Sequence, residues 1–137
     1  MITDVLVDRK LTSDEIVPVL RQVFGLSSSE VLVVDEMPEE PIGNNVGLIC
    51  ERREVNGEFC LILSLYVQDG KFSHCNEADT IGRFCEISHC RCLISDNSIN
   101  PYSFFLVQSP KGLKNVFLDA NRLEDNEEYT LEKLPGD

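Results

Sequence analysis

Apolar residues recur along this chain with two different periods, and each period predicts a different kind of element. On the N-terminal side four apolar residues have helical spacing, namely Ile16, Leu20, Val23 and Phe24. Thr12 and Glu15 fit a capping box in front of them, and Gly25 fits a helix end. Because Pro18 removes one backbone hydrogen bond, we expect a helix that begins near Asp14 or kinks at Pro18.

Alternation of apolar and polar residues predicts a β-hairpin in the middle of the chain. Asn56-Gly57 separates residues 46–55 from residues 58–67, and this dipeptide favours a two-residue type I′ turn. That turn places Cys50 opposite Leu63 and puts Cys60 on the other face, so the two cysteines cannot form a disulfide. One apolar face is predicted, formed by Val46, Leu48, Cys50, Phe59, Leu61, Leu63 and Leu65. Because the second strand is apolar on both faces, we expect it to lie inside a sheet, with the first strand nearer an edge.

The remaining segments add a second helix and several strands. The helix is predicted from Glu77 to about His89, with Asn76 as its cap and Gly82 indicating close packing. Its buried stripe is formed by Ile81, Phe84, Cys85 and Ser88. Strands are predicted at residues 2–7, 31–34, 91–95, 102–108, 114–119 and 128–134, with a turn at 109–112. We therefore predict a single α+β domain over residues 1–137, with two helices and a mainly antiparallel sheet of about six to eight strands.

The chain is strongly acidic, with 24 Asp and Glu against 12 Lys and Arg and a formal net charge of −12. Proteins that bind a phosphate backbone need clustered basic side chains, so this balance argues against a nucleic-acid partner. The N-terminus has no basic segment followed by an apolar run, and the longest nearly apolar stretch, residues 59–67, is too short to cross a bilayer. We therefore expect a cytoplasmic protein without a membrane partner.

The sequence contains six cysteines, of which Cys85, Cys90 and Cys92 are close together along the chain. In a reducing compartment they would be free thiols. Thiolates and imidazoles are the usual zinc ligands, and the candidate ligands here are Cys75, His89, Cys90 and Cys92. Their spacing departs from the C-x2-4-C pattern of structural zinc sites, so packed thiols are the simpler interpretation and no metal or other cofactor is predicted.

The sequence lacks the usual catalytic signatures, including the phosphate-binding loop, H-E-x-x-H, G-x-G-x-x-G and the EF-hand. A nucleophilic cysteine needs a base, and only His74 and His89 are available. We therefore expect a protein that is not an enzyme. The alternative is a small metal- or thiol-dependent enzyme centred on His74, Cys75, His89, Cys90 and Cys92.

Carboxylates are concentrated in two segments that we predict to be connections. The candidate partner-binding residues are Glu36, Glu39 and Glu40 in the first, Glu124, Asp125, Glu127 and Glu128 in the second, and Tyr102 as an aromatic anchor. Acidic loops are most often solvated surface only. They can also dock a basic protein, because opposite potentials accelerate encounter and determine partner choice.

One segment resembles a known group of proteins. It includes Gly82-Arg83-Phe84-Cys85-Glu86-Ile87, Cys92-Leu93-Ile94-Ser95-Asp96 and Asn100-Pro101-Tyr102-Ser103. With its size, acidity and order of elements, the chain resembles small bacterial immunity proteins encoded beside polymorphic or contact-dependent toxins. The resemblance implies an inhibitor without enzymatic activity that binds a basic toxin domain, often a nuclease, and occludes it. It transfers no individual binding residue to this chain.

These observations predict a protein-binding module with a basic protein partner, and an immunity protein against a toxin domain is its most specific form. Two alternatives stay open. One is the small enzyme described above, and the other is a homo-oligomeric scaffold in which an exposed sheet edge pairs with itself. The sequence does not predict the oligomeric state.

Overall fold

One mixed sheet forms the centre of the fold in a computed structural model that describes residues 2–40, 43, 45–67 and 76–132. Its seven strands are β1 (Ile2–Val7), β2 (Val31–Val34), β3 (Leu48–Glu54), β4 (Leu61–Val67), β5 (Cys92–Ser95), β6 (Ser103–Ser109) and β7 (Gly112–Phe117). They lie in the order β2-β3-β4-β1-β5-β6-β7. Among these strands β2 and β3 are parallel, and the other neighbouring pairs are antiparallel. The predicted α+β class and mainly antiparallel sheet are confirmed.

The first helix, α1 (Ser13–Phe24), has the termini that the sequence predicted. The Thr12 side chain accepts a hydrogen bond from the Glu15 backbone, the Glu15 carboxylate accepts from the Thr12 backbone, and Gly25 ends the helix with a φ of 66°. Pro18 lies inside α1 and is exposed, so its ring faces solvent and not the core. The apolar stripe on the opposite side is buried, as expected for an amphipathic helix.

The structure describes two further α-helices where one was predicted. The helix α2 (Glu77–Ser88) is capped by Asn76 and ends at His89, as expected. The helix α3 (Ala120–Asn126) is a correction, because its residues were assigned to a connecting segment between two strands. It has only seven residues, too few to show a helical repeat of apolar positions, and its Asp119 cap was not recognised.

Each face of the sheet carries its own hydrophobic cluster. The first cluster joins α1 and α2 to the sheet face formed by Val5, Val7, Leu48, Cys50, Leu61, Leu63, Leu65, Cys92, Ile94 and Val107. The second cluster lies on the opposite face and is formed by Leu6, Phe59, Ile62, Leu93, Leu106 and Leu118. Partly buried side chains after β7 pack against the second cluster, including Leu123 of α3, Tyr129 and Leu131. The helices α1 and α2 therefore cover one face. The described residues after β7 (118–132), which we call the C-terminal segment, cover part of the other.

The hairpin of β3 and β4 forms as predicted, but its register is shifted by two residues. Cys50 lies opposite Leu65, not Leu63. Asn56 and Gly57 belong to a four-residue loop, which the Val55 N–H closes by donating to the Cys60 carbonyl at 3.0 Å. The reason is tertiary, because the Tyr129 N–H donates to the Asn56 carbonyl at 2.8 Å and holds this loop against the C-terminal segment. A shift of two residues keeps each strand residue on its face, so Cys50 and Cys60 are separate free thiols as expected.

Two further predictions about this region were wrong. Phe59 was assigned to the face of Leu61 and Leu63, but it lies in the loop and is fully buried in the second cluster. Its N–H donates to the Tyr129 carbonyl at 2.9 Å, which fixes that side of the loop. A strand was predicted at residues 128–134, but in its described part Glu128 and Leu131 make isolated bridges to Asn56 and Leu118. The segment covers the sheet face and does not extend the sheet.

Gly82 explains how α2 lies so close to the β6–β7 turn. A Cβ at Gly82 would lie 2.5 Å from the nitrogen and 2.6 Å from the Cα of Pro110. These are backbone atoms of the tight turn that begins at Ser109, so they cannot move aside without displacing the hairpin. The close packing predicted from this glycine is therefore confirmed.

Replacement of Gly82 by Ala should lower the free energy of unfolding by about 1–3 kcal/mol, because overpacking outweighs the gain of about 1 kcal/mol in helix propensity. Urea denaturation measures this difference. Gly112→Ala is the matched control, since a Cβ there meets nothing within 4 Å and the change should stay within about 0.5 kcal/mol. Equal stabilities of the two variants would contradict the packing described here.

Candidate functional site

The first group of predicted partner-binding residues lies where the sequence placed it. Glu36, Glu39 and Glu40 are exposed in the segment that follows β2, at one edge of the sheet. Arg52 approaches this segment, with its Nη1 atom 3.6 Å from the Asp35 carboxylate. The segment is thus an exposed acidic surface, and docking at these residues stays a prediction.

The second group lies on and just after α3, and several of its side chains already have partners within the chain. Glu124 and Asp125 are exposed on α3, and Glu127 ends the helix with a φ of 55°. The Arg122 guanidinium donates to the Glu128 carboxylate at 2.7 Å. Tyr102 is half-buried and its hydroxyl donates to the Glu124 carboxylate, which raises the pKa of Tyr102. These contacts hold α3 and its flanking segments to each other.

A third acidic surface was not predicted from the sequence, because it depends on which strands are neighbours in the sheet. Glu51 of β3 lies opposite Ser64 of β4, and Ser64 lies opposite Asp4 of β1. These side chains form a polar row on the face of the second cluster, and the Ser64 hydroxyl donates to the Asp4 carboxylate at 2.6 Å. In the next row Arg53 of β3 lies opposite Ile62, and Ile62 lies opposite Leu6. Ile62 and Leu6 are buried in the second cluster, whereas the polar row stays at the surface.

The polar row lines a surface cavity of about 720 Å³, which we call the acidic groove. Its charged side chains are three carboxylates, Asp4, Glu51 and Glu77, and one guanidinium, Arg53. Burial raises the pKa of Glu77. Tyr66 and Phe104 also line the groove and are half-buried, so aromatic surface lies beside the carboxylates. This arrangement suits a cationic side chain with an apolar stem.

The second candidate site is a cluster of three buried thiols, which we call the thiol cluster. Cys85 lies near the end of α2, Cys90 follows the helix cap, and Cys92 begins β5. Their sulfur atoms all lie within 4.8 Å of one another, and those of Cys90 and Cys92 are 4.0 Å apart. The left-handed backbone of His89, with a φ of 55°, turns the chain sharply enough to bring Cys90 back toward Cys85.

Hydrogen bonds fix the surroundings of the thiol cluster. The Cys85 thiol donates to the Val107 carbonyl at 3.3 Å, and the Ser88 hydroxyl donates to the Phe84 carbonyl at 2.6 Å. The Ser88 oxygen is also 3.1 Å from the Cys90 sulfur. Burial raises the pKa of Cys92, which has no exposed surface. A surface cavity of about 310 Å³ opens beside Cys85 and Cys90, and Asp8 and His89 also line it.

The structure groups the predicted metal ligands differently from the sequence. Cys90 and Cys92 are together as expected, whereas His89 is exposed at the cavity and Cys85 takes the third place in the cluster. His74 and Cys75 lie outside the described residues. Cys85 was noted close to Cys90 and Cys92 along the chain, but it was assigned to the buried stripe of α2 and was not among the candidate ligands. Four residues separate Cys85 from Cys90 along the chain. Only the end of α2 between these two cysteines brings their sulfur atoms together.

Comparisons with known proteins do not assign the chain to a class. No family model matches this sequence, and neither a curated protein nor a solved structure shows significant similarity to it. None of the described helices is long and apolar enough to cross a membrane.

Cys50 and Cys60, the described thiols outside the cluster, should differ sharply in reactivity. Cys50 has no exposed surface, and burial raises its pKa to about 12, whereas Cys60 is half-buried. Because the thiolate is the nucleophile, iodoacetamide at mildly alkaline pH should alkylate Cys60 well before Cys50. Peptide mass spectrometry over a time course measures both rates. In concentrated urea the two rates should converge, and a faster reaction of Cys50 in the native protein would contradict the described core.

Proposed function

We propose that this chain is a protein-binding module whose acidic groove receives basic side chains of a protein partner. The observation that carries the proposal is the uneven covering of the sheet. Leu6 and Ile62 of the second face are buried in the second cluster, and the row of Asp4, Ser64 and Glu51 beside them lines a groove of about 720 Å³. A concave surface with a few convergent polar groups is the usual form of a binding site.

The charge of the groove and of the whole chain supports a basic partner. The groove is lined by three carboxylates and one guanidinium, so its side chains carry a net negative charge. The net charge of −12 on the whole chain adds to the negative potential around the groove. At physiological ionic strength this potential extends over about 8 Å, so it accelerates encounter with a cationic surface. Glu36, Glu39 and Glu40 contribute to this long-range attraction without having to enter the contact.

Tyr66 and Phe104 supply the short-range part of the interaction. Both are half-buried and line the groove beside the carboxylates. Aromatic side chains contribute strongly at binding surfaces because they bury much apolar area and lose little conformational entropy. A lysine or arginine of the partner would place its alkyl stem on these rings and its charge near Asp4 or Glu51.

The resemblance of residues 82–103 to immunity proteins makes a basic toxin domain the first partner to test. Such a domain, if it is a nuclease, carries a cationic active site that binds phosphates. A lysine or arginine of that active site held in the acidic groove would no longer be available to substrate. Inhibition then follows from occlusion, without any chemical step on the part of this chain.

The test is titration of the basic domain encoded by a neighbouring gene into this protein, followed by calorimetry at low and high salt. The double variant Asp4→Lys/Glu51→Lys should weaken binding at least tenfold, because it places cations where the partner's cations dock. The control is Glu36→Lys/Glu39→Lys, which changes the net charge by the same amount in the exposed segment after β2. The control should weaken binding less than the groove variant does, because it reduces only the long-range attraction.

Three outcomes would overturn the proposal. One is the absence of binding at low salt to any basic product of the neighbouring genes. Another is an equal loss of affinity in the groove variant and in the control, which would leave only a general charge effect. The third is self-association in sedimentation that the groove variant abolishes, because the groove would then be an interface between copies of this chain.

A further inference from the structure

We propose that the thiol cluster of Cys85, Cys90 and Cys92 is a binding site for one zinc ion. This inference is independent of the acidic groove and rests on the positions of the three sulfur atoms. Soft thiolate ligands select thiophilic ions such as Zn²⁺ and Cu⁺ and disfavour Mg²⁺ and Ca²⁺. The proposal assigns no catalytic step to the ion. Its predicted role is structural, because it would join the end of α2 to the start of β5.

The geometry of the three sulfurs is close to that of a zinc site. All three lie within 4.8 Å of one another, and the Cys90 and Cys92 sulfurs are 4.0 Å apart. An ion placed at the centre of such a triangle lies within roughly 2.8 Å of each sulfur, and Zn–S bonds of about 2.3 Å need a contraction of about half an ångström. Rotation of the cysteine side chains supplies such a shift without movement of α2 or β5.

The surroundings provide an entry path and a fourth ligand position. The cavity of about 310 Å³ reaches Cys85 and Cys90, and His89 and Asp8 lie on its wall. Asp8 already accepts from the backbone and the guanidinium of Arg91, each at 2.8 Å. A water molecule from the cavity therefore completes the tetrahedron in this proposal. Such a site joins the end of α2 to the start of β5 across the His89 turn.

Charge and protons balance in this binding step. Zn²⁺ binds the three sulfurs as thiolates, and any thiol proton still present leaves to solvent, so three thiolates with one Zn²⁺ carry a net charge of −1. The Arg9 guanidinium donates to the Ser88 carbonyl at 2.7 Å, so a cation already lies beside the cluster. Cys85 gives up its hydrogen bond to the Val107 carbonyl when its proton leaves, and the bond to zinc replaces it.

The test is metal binding by the whole protein under reducing, oxygen-free conditions. Competition against a chromophoric zinc chelator should show one Zn²⁺ per chain. Cobalt substitution should give the charge-transfer absorption of three thiolates and the visible bands of a tetrahedral ion. The cobalt spectrum counts ligands in the unaltered protein, so it does not depend on whether a variant folds.

Variants then locate the ion. Cys90→Ser should weaken zinc binding at least a hundredfold, whereas Cys60→Ser is the matched control and should bind as the unaltered protein does. Circular dichroism confirms that each variant is folded. The proposal is wrong if the protein yields zinc completely to the chelator, if the cobalt spectrum lacks thiolate charge transfer, or if Cys60→Ser loses as much affinity as Cys90→Ser. Stoichiometric binding of Cu⁺ without binding of Zn²⁺ would equally overturn the zinc assignment.

Discussion

The fold depends on covering both faces of two central strands. β1 and β4 place apolar residues on both sides, with Val5, Val7 and Leu63 in the first cluster and Leu6 and Ile62 in the second. Leaving one such side chain in water costs about 1.5–3 kcal/mol, so neither face can stay bare. Two amphipathic helices cover the first face, as in other layered α+β folds. Among the described residues no comparable helix covers the second face, and the short helix α3 with the irregular residues around it lies there.

Arg91 connects this covering segment to the sheet. Its guanidinium donates to Asp8 at the end of β1 and to Glu58 in the β3–β4 loop, at 2.8 and 2.9 Å. It also lies over the buried ring of Phe59, 5.7 Å from the ring centre. Glu58 in turn accepts from the Leu131 N–H at 3.2 Å. Because charged groups that are partly buried need such partners, this chain of contacts holds the C-terminal segment against the sheet.

Both candidate sites follow from this incomplete covering and from the helix ends. The acidic groove lies where the polar row of Asp4 and Ser64 stays at the surface beside the buried Leu6 and Ile62, which also line it. The thiol cluster exists because α2 ends at His89 and the chain returns at once as β5. One site is charged and faces solvent, and the other is apolar and buried. A protein-binding surface and a stabilising metal ion are compatible within one such molecule.

The sequence by itself determined the local elements. The capping box at Thr12, the Asn76 cap and the alternation in β3 and β4 are signals within a few residues, and each predicted its element correctly. Strand neighbours, the hairpin register and the face on which Phe59 lies were decided only by the tertiary structure. Asn56 and Gly57 favour a tight turn, but pairing with Tyr129, more than seventy residues away, outweighs that preference. Both candidate sites likewise depend on contacts between segments that are distant along the chain, namely the groove of Asp4, Ser64 and Glu51 and the cluster of three sulfurs. Local sequence patterns do not predict such contacts.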